Sequence, residues 1–268
     1  MTKSLYDNEK VIFGIKQAST GWTNPNRGFM KWFIKELDCL PGKKSGLTAA
    51  DIGCGAGAKT KTLKAIFPQW SFIGSDISRQ AISLANKNNQ GVKFLAADAT
   101  KLPFKDQQFE VVVMNSVLDH TNDPEAAVKE VFRILKPKGV WLVTSPLEAE
   151  LTTLHGWLTL WPKFRRHRKE RCGHNFAFSK KSLLSLLKQS GFKIESVTLD
   201  WFYLTQLIDL LYYPILQSLG RPPEFNLEES AGLVHTIRKL AILVQNIEST
   251  LTLSIPLGWF AYVKAVKS

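Results

Sequence analysis

The chain has 268 residues, 44% of them hydrophobic, and its 35 Lys and Arg against 23 Asp and Glu give a net charge of +12. That composition supplies a sizeable core for one large domain, or for one domain with an insertion, and excludes a disordered chain. Three scattered cysteines, Cys39, Cys54 and Cys172, exclude a disulfide framework and point to a reduced, cytoplasmic setting, and the first ten residues lack the apolar core of a signal peptide.

Residues 13–40, with Trp22, Phe29, Trp32 and Phe33, predict a helix that closes the mouth of the site built by the strands after it. Thr48 to Ile52 reads as a buried strand carrying Asp51, and Gly53, Gly55 and Gly57 follow at alternate positions before a helix that starts at about Lys59. Glycines there allow tight turning and close approach of a ligand, and the helix directs its unpaired N–H groups at that ligand. Two kinds of site share this loop. Gly53, Gly55 and Ala58, with Asp76 downstream, fit the dinucleotide fingerprint GxGxx(G/A). Asp51 and Gly57 instead make DxGxGxG, and a pyrophosphate gives a carboxylate at Asp51 little to bind.

Further strands follow at Ser71–Asp76 and Val92–Ala99, and the run Phe109 to His120 reads as a fourth strand with the loop after it. Pro124 to Leu135 reads as a helix, and Leu135-Lys136-Pro137-Lys138-Gly139 as a turn into a fifth strand. A single Asp at a strand end is more often a helix cap or turn residue than a ligand contact. Asp51, Asp76 and Asp98 end three successive strands, however, and in an open parallel sheet the carboxyl ends of the strands face one crevice.

The run Asp51-Ile52-Gly53-Cys54-Gly55-Ala56-Gly57 resembles motif I of the class I S-adenosylmethionine (SAM)-dependent methyltransferases, and residues 47–146 as a whole resemble the type 11 family. The resemblance implies an α/β fold, a doubly wound, mostly parallel seven-stranded sheet of Rossmann-like methyltransferase type, with SAM as cofactor. It implies that Asp76 accepts the ribose hydroxyls and that Asp98 meets the adenine amino group. It extends the cofactor site over Asp51, Gly53, Cys54, Gly55, Gly57, Asp76, Ile77, Asp98, Ala99, Asn115 and Ser116.

Beyond the fifth strand, residues 163–171 (Lys-Phe-Arg-Arg-His-Arg-Lys-Glu-Arg) concentrate positive charge, which suits either a solvated face or an anionic partner. Ser179 and Gly191 bracket a helix from Lys180 to Ser190, and Phe192–Leu199 matches strand six. The match to strand seven, Trp259–Ala265, comes only at the C-terminus, so apolar helical patterns over residues 203–257 interrupt the final hairpin. The expected organisation is an N-terminal helical cap (1–46), a SAM-binding core (47–202) with a basic insertion (147–178), a helical cap insertion between strands six and seven (203–257), and the last core strand (258–268).

No metal site is expected: none of His120, His155, His167, His174 and His235 pairs with another at i, i+4, and Cys172-Gly173-His174 reads as a turn. If the nucleophile is a hydroxyl, His120 is the first candidate for its base and His174 the second. The function expected is methyl transfer from SAM to oxygen or carbon of a small lipid-like, quinone-like or sugar-linked acceptor, in the cytoplasm or at the inner face of an anionic membrane. An RNA methyltransferase using the basic run and a non-catalytic SAM-binding protein are the rivals. Asn115-Ser116-Val117-Leu118 in place of a (D/N/S)PP(Y/F) signature disfavours nucleic acid, and the oligomeric state is not legible.

Overall fold

Strands β1 (Thr48–Ile52), β2 (Ser71–Asp76), β3 (Lys93–Ala96), β4 (Phe109–Asn115), β5 (Leu135–Pro146), β6 (Phe192–Asp200) and β7 (Phe260–Lys267) form one sheet in the order β3-β2-β1-β4-β5-β7-β6. The computed structural model describes residues 25, 28–87, 89–162, 165–166, 173–200, 258 and 260–268. β1 to β5 are parallel, while β7 runs antiparallel between β5 and β6. The sheet is therefore mostly parallel and seven-stranded, as the sequence implies.

Helices α1 (Gly28–Asp38), α2 (Ala58–Ile66) and α3 (Arg79–Lys87) pack on one face, where Met30, Phe33, Leu37, Leu63, Ile82 and Ala85 meet Ala49, Val111, Val113 and Leu142. On the other face α4 (Pro124–Ile134) and a helix over Lys180–Gln189 bury Val128, Val131, Leu183 and Leu187 against Ala50, Val112, Met114, Trp141 and Val143. A sheet covered on both faces needs continuous apolar strands, and β4 is one, with Val111 to Met114 all buried. The Lys180–Gln189 helix starts where Ser179 predicts: its hydroxyl accepts from Ser182 N at 3.1 Å in a capping box. Lys267 on β7 donates to the carbonyls of Phe132 and Leu135, at 2.6 and 2.8 Å, and so closes the end of α4.

Elements differ from the sequence expectation mainly at their ends. The third strand stops at Ala96 because Asp98 turns the chain back to pair with Lys101, and the last strand is Phe260–Lys267. The described turns of the N-terminal helix lie along the sheet, where Trp32 touches Tyr262 of β7 (ring centroids 5.4 Å apart) and Glu36 pairs with Lys264 at 3.4 Å.

Asp200 pairs with Phe260, which also pairs with Pro146 at the end of β5, so the chain between β6 and β7 leaves and rejoins the sheet at the carboxyl edge of the parallel strands. The helical patterns expected over 203–257 lie outside the described residues, as do residues 1–24 and all of the basic run but Arg165 and Arg166. Among the described residues no helix is long and apolar enough to cross a membrane.

Candidate functional site

The sheet order reverses between β1 and β4, the place where an α/β sheet opens a ligand crevice at its strand ends. The glycine loop crosses this point. Gly53 N and Cys54 N both donate to Ser75 O, at 2.7 and 3.0 Å, which lays the loop over the end of β2. Gly53 has φ 72°, and a β-carbon there would lie 2.2 Å from Val117 Cγ2, so this glycine lets the loop after β4 pack against the loop after β1. Gly55 has φ 56° and nothing within 4 Å of where its β-carbon would project, which leaves open space directly above the backbone.

Asp76 ties this loop to β2. Its Oδ2 accepts from Gly55 N at 2.8 Å and its Oδ1 from Ser78 N at 2.9 Å. Burial raises its carboxyl above the ordinary value, while the N–H groups of Ser78 and Gly55 pull the other way without cancelling it. Each oxygen keeps a further lone pair. Ile77 beside it is 42% exposed, an apolar surface at the crevice wall. Asp98 receives Thr100 N and Thr100 Oγ1 on one oxygen, both at 2.8 Å, and leaves Oδ2 at an exposed position next to Ala99. Its loop is pinned from α4, because Arg133 donates to Leu102 O and Phe104 O while Glu130 accepts from Leu102 N. Asn115 accepts from Thr144 Oγ1 at 2.8 Å, and Ser116 holds φ 49° where β4 turns away, a strained non-glycine backbone of the kind that collects at sites.

Two residues expected in the cofactor site have inward-facing side chains. Asp51 is fully buried, with Lys59 Nζ 2.8 Å from Oδ1 and Thr60 Oγ1 donating to Oδ2 at 2.6 Å, so it anchors the start of α2. The sequence reading passed over both partners, although a lysine and a threonine eight and nine residues after a strand-end acid are well spaced to reach back to it. Cys54 is buried in the core on the α1–α3 face, and its thiol is pushed well above its usual range first by burial and then by the carboxylates of Asp51 and Asp76. Cys54 can therefore offer a ligand only its backbone. Gly57 caps α2 in the left-handed region without a side-chain hydrogen bond.

The two candidate histidines meet. His120 and His174 lie edge to face with ring centroids 4.7 Å apart, although 54 positions separate them in sequence. The stretch 173–176 is stitched to the loop after β4: Asn175 N and Phe176 N donate to Asp119 O at 2.8 and 3.0 Å, and Asn175 Nδ2 donates to His120 O at 2.8 Å. Asp119 and Glu148, both buried, complete a group of two imidazoles and two carboxylates. No local spacing announces it, because its members come from three separated segments.

Residues 50–143 match the family described as "Methyltransferase domain". Over 190 residues the chain is 29% identical to a demethylmenaquinone methyltransferase of Lactobacillus johnsonii, covering 64% of this chain and 76% of that one. It is 35% identical over 100 residues to a ubiquinone/menaquinone biosynthesis C-methyltransferase of Desulfotalea psychrophila, covering 36% of this chain and 41% of that one. Demethylmenaquinone methyltransferases of Lactococcus lactis and Staphylococcus carnosus are matched over 52% and 61% of their lengths. Among solved structures, a phosphoethanolamine N-methyltransferase 2 of Haemonchus contortus in complex with S-adenosylhomocysteine superimposes with TM-score 0.60 at 18% identity, covering 88% of this chain and 52% of that one. The [4+2]-cyclase SpnF superimposes with TM-score 0.56 at 17% identity, covering 91% of this chain and 84% of that one. Likeness at that level is one of fold.

Proposed function

We propose that the chain is a class I S-adenosylmethionine-dependent methyltransferase, which its methyltransferase domain over residues 50–143 supports, and that it transfers the methyl group of SAM to an oxygen or carbon of a small, quinone-like apolar acceptor. The observation that carries the reading is the cradle formed by Gly55, Asp76 and Ser78, a carboxylate fixed by two backbone N–H groups beside open space above a glycine. That lining fits SAM. The spare lone pairs of Asp76 suit the ribose hydroxyls, Ile77 offers an apolar face to the adenine, and Asp98 Oδ2 suits its amino group. Asn115 and Ser116 border the crevice on the β4 side. When bound, the cofactor supplies an electrophilic methyl group on a sulfonium.

Transfer is an in-line displacement in which positive charge on sulfur disappears, so the chain contributes chiefly orientation and exclusion of water. Asp76 and the glycine loop hold one reactant. His120, in the loop after β4, and His174, in the segment docked against that loop, form the polar wall that meets the other. The names of the relatives favour a quinol ring as that other reactant.

An apolar acceptor resides in a bilayer, and Trp157, Leu160 and Trp161 are 64, 59 and 67% exposed close before Arg165 and Arg166. Exposed tryptophans beside cations support peripheral contact with an anionic membrane. The test of the function is incubation of the chain with methyl-labelled SAM and, in parallel, a reduced demethylated menaquinone analogue, a catechol and total RNA. Label in the extracted quinol is expected. Label in RNA, or in no acceptor while SAM binds, would replace the proposal with one of its rivals.

A further inference from the structure

The geometry points to a metal site: Asp119, His120 and His174 bind one divalent ion of the zinc class, with a fourth position open to water or to an acceptor oxygen. His120 Nδ1 lies 3.1 Å from Gly173 O, and His174 Nδ1 lies 2.7 Å from Glu148 Oε1. A carbonyl or carboxylate oxygen only accepts, so each Nδ1 carries a proton and Nε2 is the ring nitrogen that faces the cluster. Both Nε2 atoms turn toward the same atom, Asp119 Oδ2, at 3.5 and 3.7 Å.

Those distances are too long for charge-assisted hydrogen bonds, which run at about 2.7–2.9 Å. They suit a shared ion. Bonds of about 2.0–2.1 Å in a tetrahedron place neighbouring ligand atoms roughly 3.3–3.4 Å apart. The donor atoms of the three residues all lie within 4.8 Å of one another, so the side chains draw together on binding to reach the spacing of a tetrahedron. Asp119 supplies the second, independent observation: it is fully buried, and among the described residues neither carboxylate oxygen has a hydrogen-bond partner. A buried carboxylate without a donor is costly, and a cation between it and the two Nε2 atoms removes that cost.

The surroundings follow the same design. Glu148 and Gly173 O orient the imidazoles through their far nitrogens, as outer partners of metal-bound histidines do. Two imidazole nitrogens and one carboxylate oxygen favour zinc or a similar transition ion over magnesium or calcium. Asp119 is sealed, whereas the His120 side chain is 28% exposed, so the cluster opens on the His120 side. Three protein ligands with one open position is the arrangement of catalytic rather than structural zinc.

The site stands at the crevice. Asp119 follows by two residues Val117, which packs on Gly53, and Glu148 follows by two residues Pro146, where β5 ends. With an ion in place the cation would bind an acceptor hydroxyl oxygen and make its proton easier to lose to water at the open side of the cluster, the imidazoles holding the ion. That consequence rests on the methyltransferase reading, whereas metal binding does not. The sequence expectation of no metal site rested on local spacing, and the fold joins residues that spacing keeps apart.

The test is titration of the tag-free, chelator-treated full chain with Co2+, followed by visible absorption, and with Zn2+, followed by calorimetry. One equivalent of Co2+ with the intense visible bands of a four-coordinate ion, displaced by Zn2+, is expected. Asp119→Asn, His120→Gln and His174→Gln should each abolish stoichiometric binding, and Glu148→Gln should weaken it by about 10- to 100-fold. Circular dichroism and SAM affinity report whether each variant is folded. If Asp119→Asn does not fold, the partly exposed His120→Gln carries the test. Absence of saturable binding in the unsubstituted chain overturns the site and leaves protonated imidazoles as the partners of Asp119, and undiminished binding in folded His120→Gln and His174→Gln overturns it equally. Metal binding with no SAM binding would sink the methyltransferase reading alone.

Discussion

Asp76→Ala removes a side chain that holds the glycine loop and that, in the proposed function, receives the ribose of the cofactor. In the free chain it deprives Gly55 N and Ser78 N of acceptors at 2.8 and 2.9 Å, at the edge of a crevice where water can replace them. The cost to folding is therefore at the low end of the roughly 1–3 kcal/mol range for an unsatisfied donor. In the complex it also loses two hydrogen bonds from ribose hydroxyls to a charged group, each worth about 1.5–3 kcal/mol. Together these come to about 3–6 kcal/mol, or a loss of roughly 10²- to 10⁴-fold in SAM affinity. Asp76→Asn keeps one accepting oxygen and should lose about half of that free energy. Isothermal titration with SAM, with circular dichroism to establish folding, reads both numbers. Unchanged affinity in a folded Asp76→Ala variant would remove the ribose from Asp76.

Burial raises the Asp76 carboxyl above 3.8, and ribose hydroxyls donate to its ionised form, so SAM affinity should fall as pH drops through that raised value, read by titration between pH 4 and 7. The same shift means that stability from this group is present at acid pH and is lost as pH rises through the folded value, which denaturant melts of the free chain at those pH values will show. Lys59→Met should destabilise by about 3–5 kcal/mol by leaving the Asp51 carboxylate buried without its cation, and adding Asp51→Asn should recover part of that in urea unfolding. Iodoacetamide at pH 8 should label exposed Cys39 and spare Cys54, whose thiol burial keeps protonated; equal labelling in the native state would put Cys54 outside the core. Trp157→Ser with Trp161→Ser should lower sedimentation with anionic liposomes while SAM affinity stays the same, and undiminished sedimentation would make these tryptophans mere surface.

What the sequence made legible is what the backbone dictates locally. The strand-end acids, the three glycines, the Ser179 cap and the order of the strands each follow from a short run read against one period or one turn type. Side-chain direction was harder to read. Asp51 and Cys54 share the glycine motif with Gly55, yet pleat and helix geometry turn the first toward Lys59 and Thr60 and the second into the α1–α3 face. The histidine cluster was legible only in part, as two separate candidates. Its closure depends on the stretch 173–176 docking against the loop after β4, a long-range backbone pairing with no local pattern.

The most direct measurement of the central claim is a crystal structure of the chain with S-adenosylhomocysteine. The expected result is density in the crevice between β1 and β4, with both ribose hydroxyls within hydrogen-bond distance of Asp76 and the ligand backbone passing over Gly55 without contact to the Asp51 side chain. Density elsewhere on the chain, or a ribose turned away from Asp76, would contradict it.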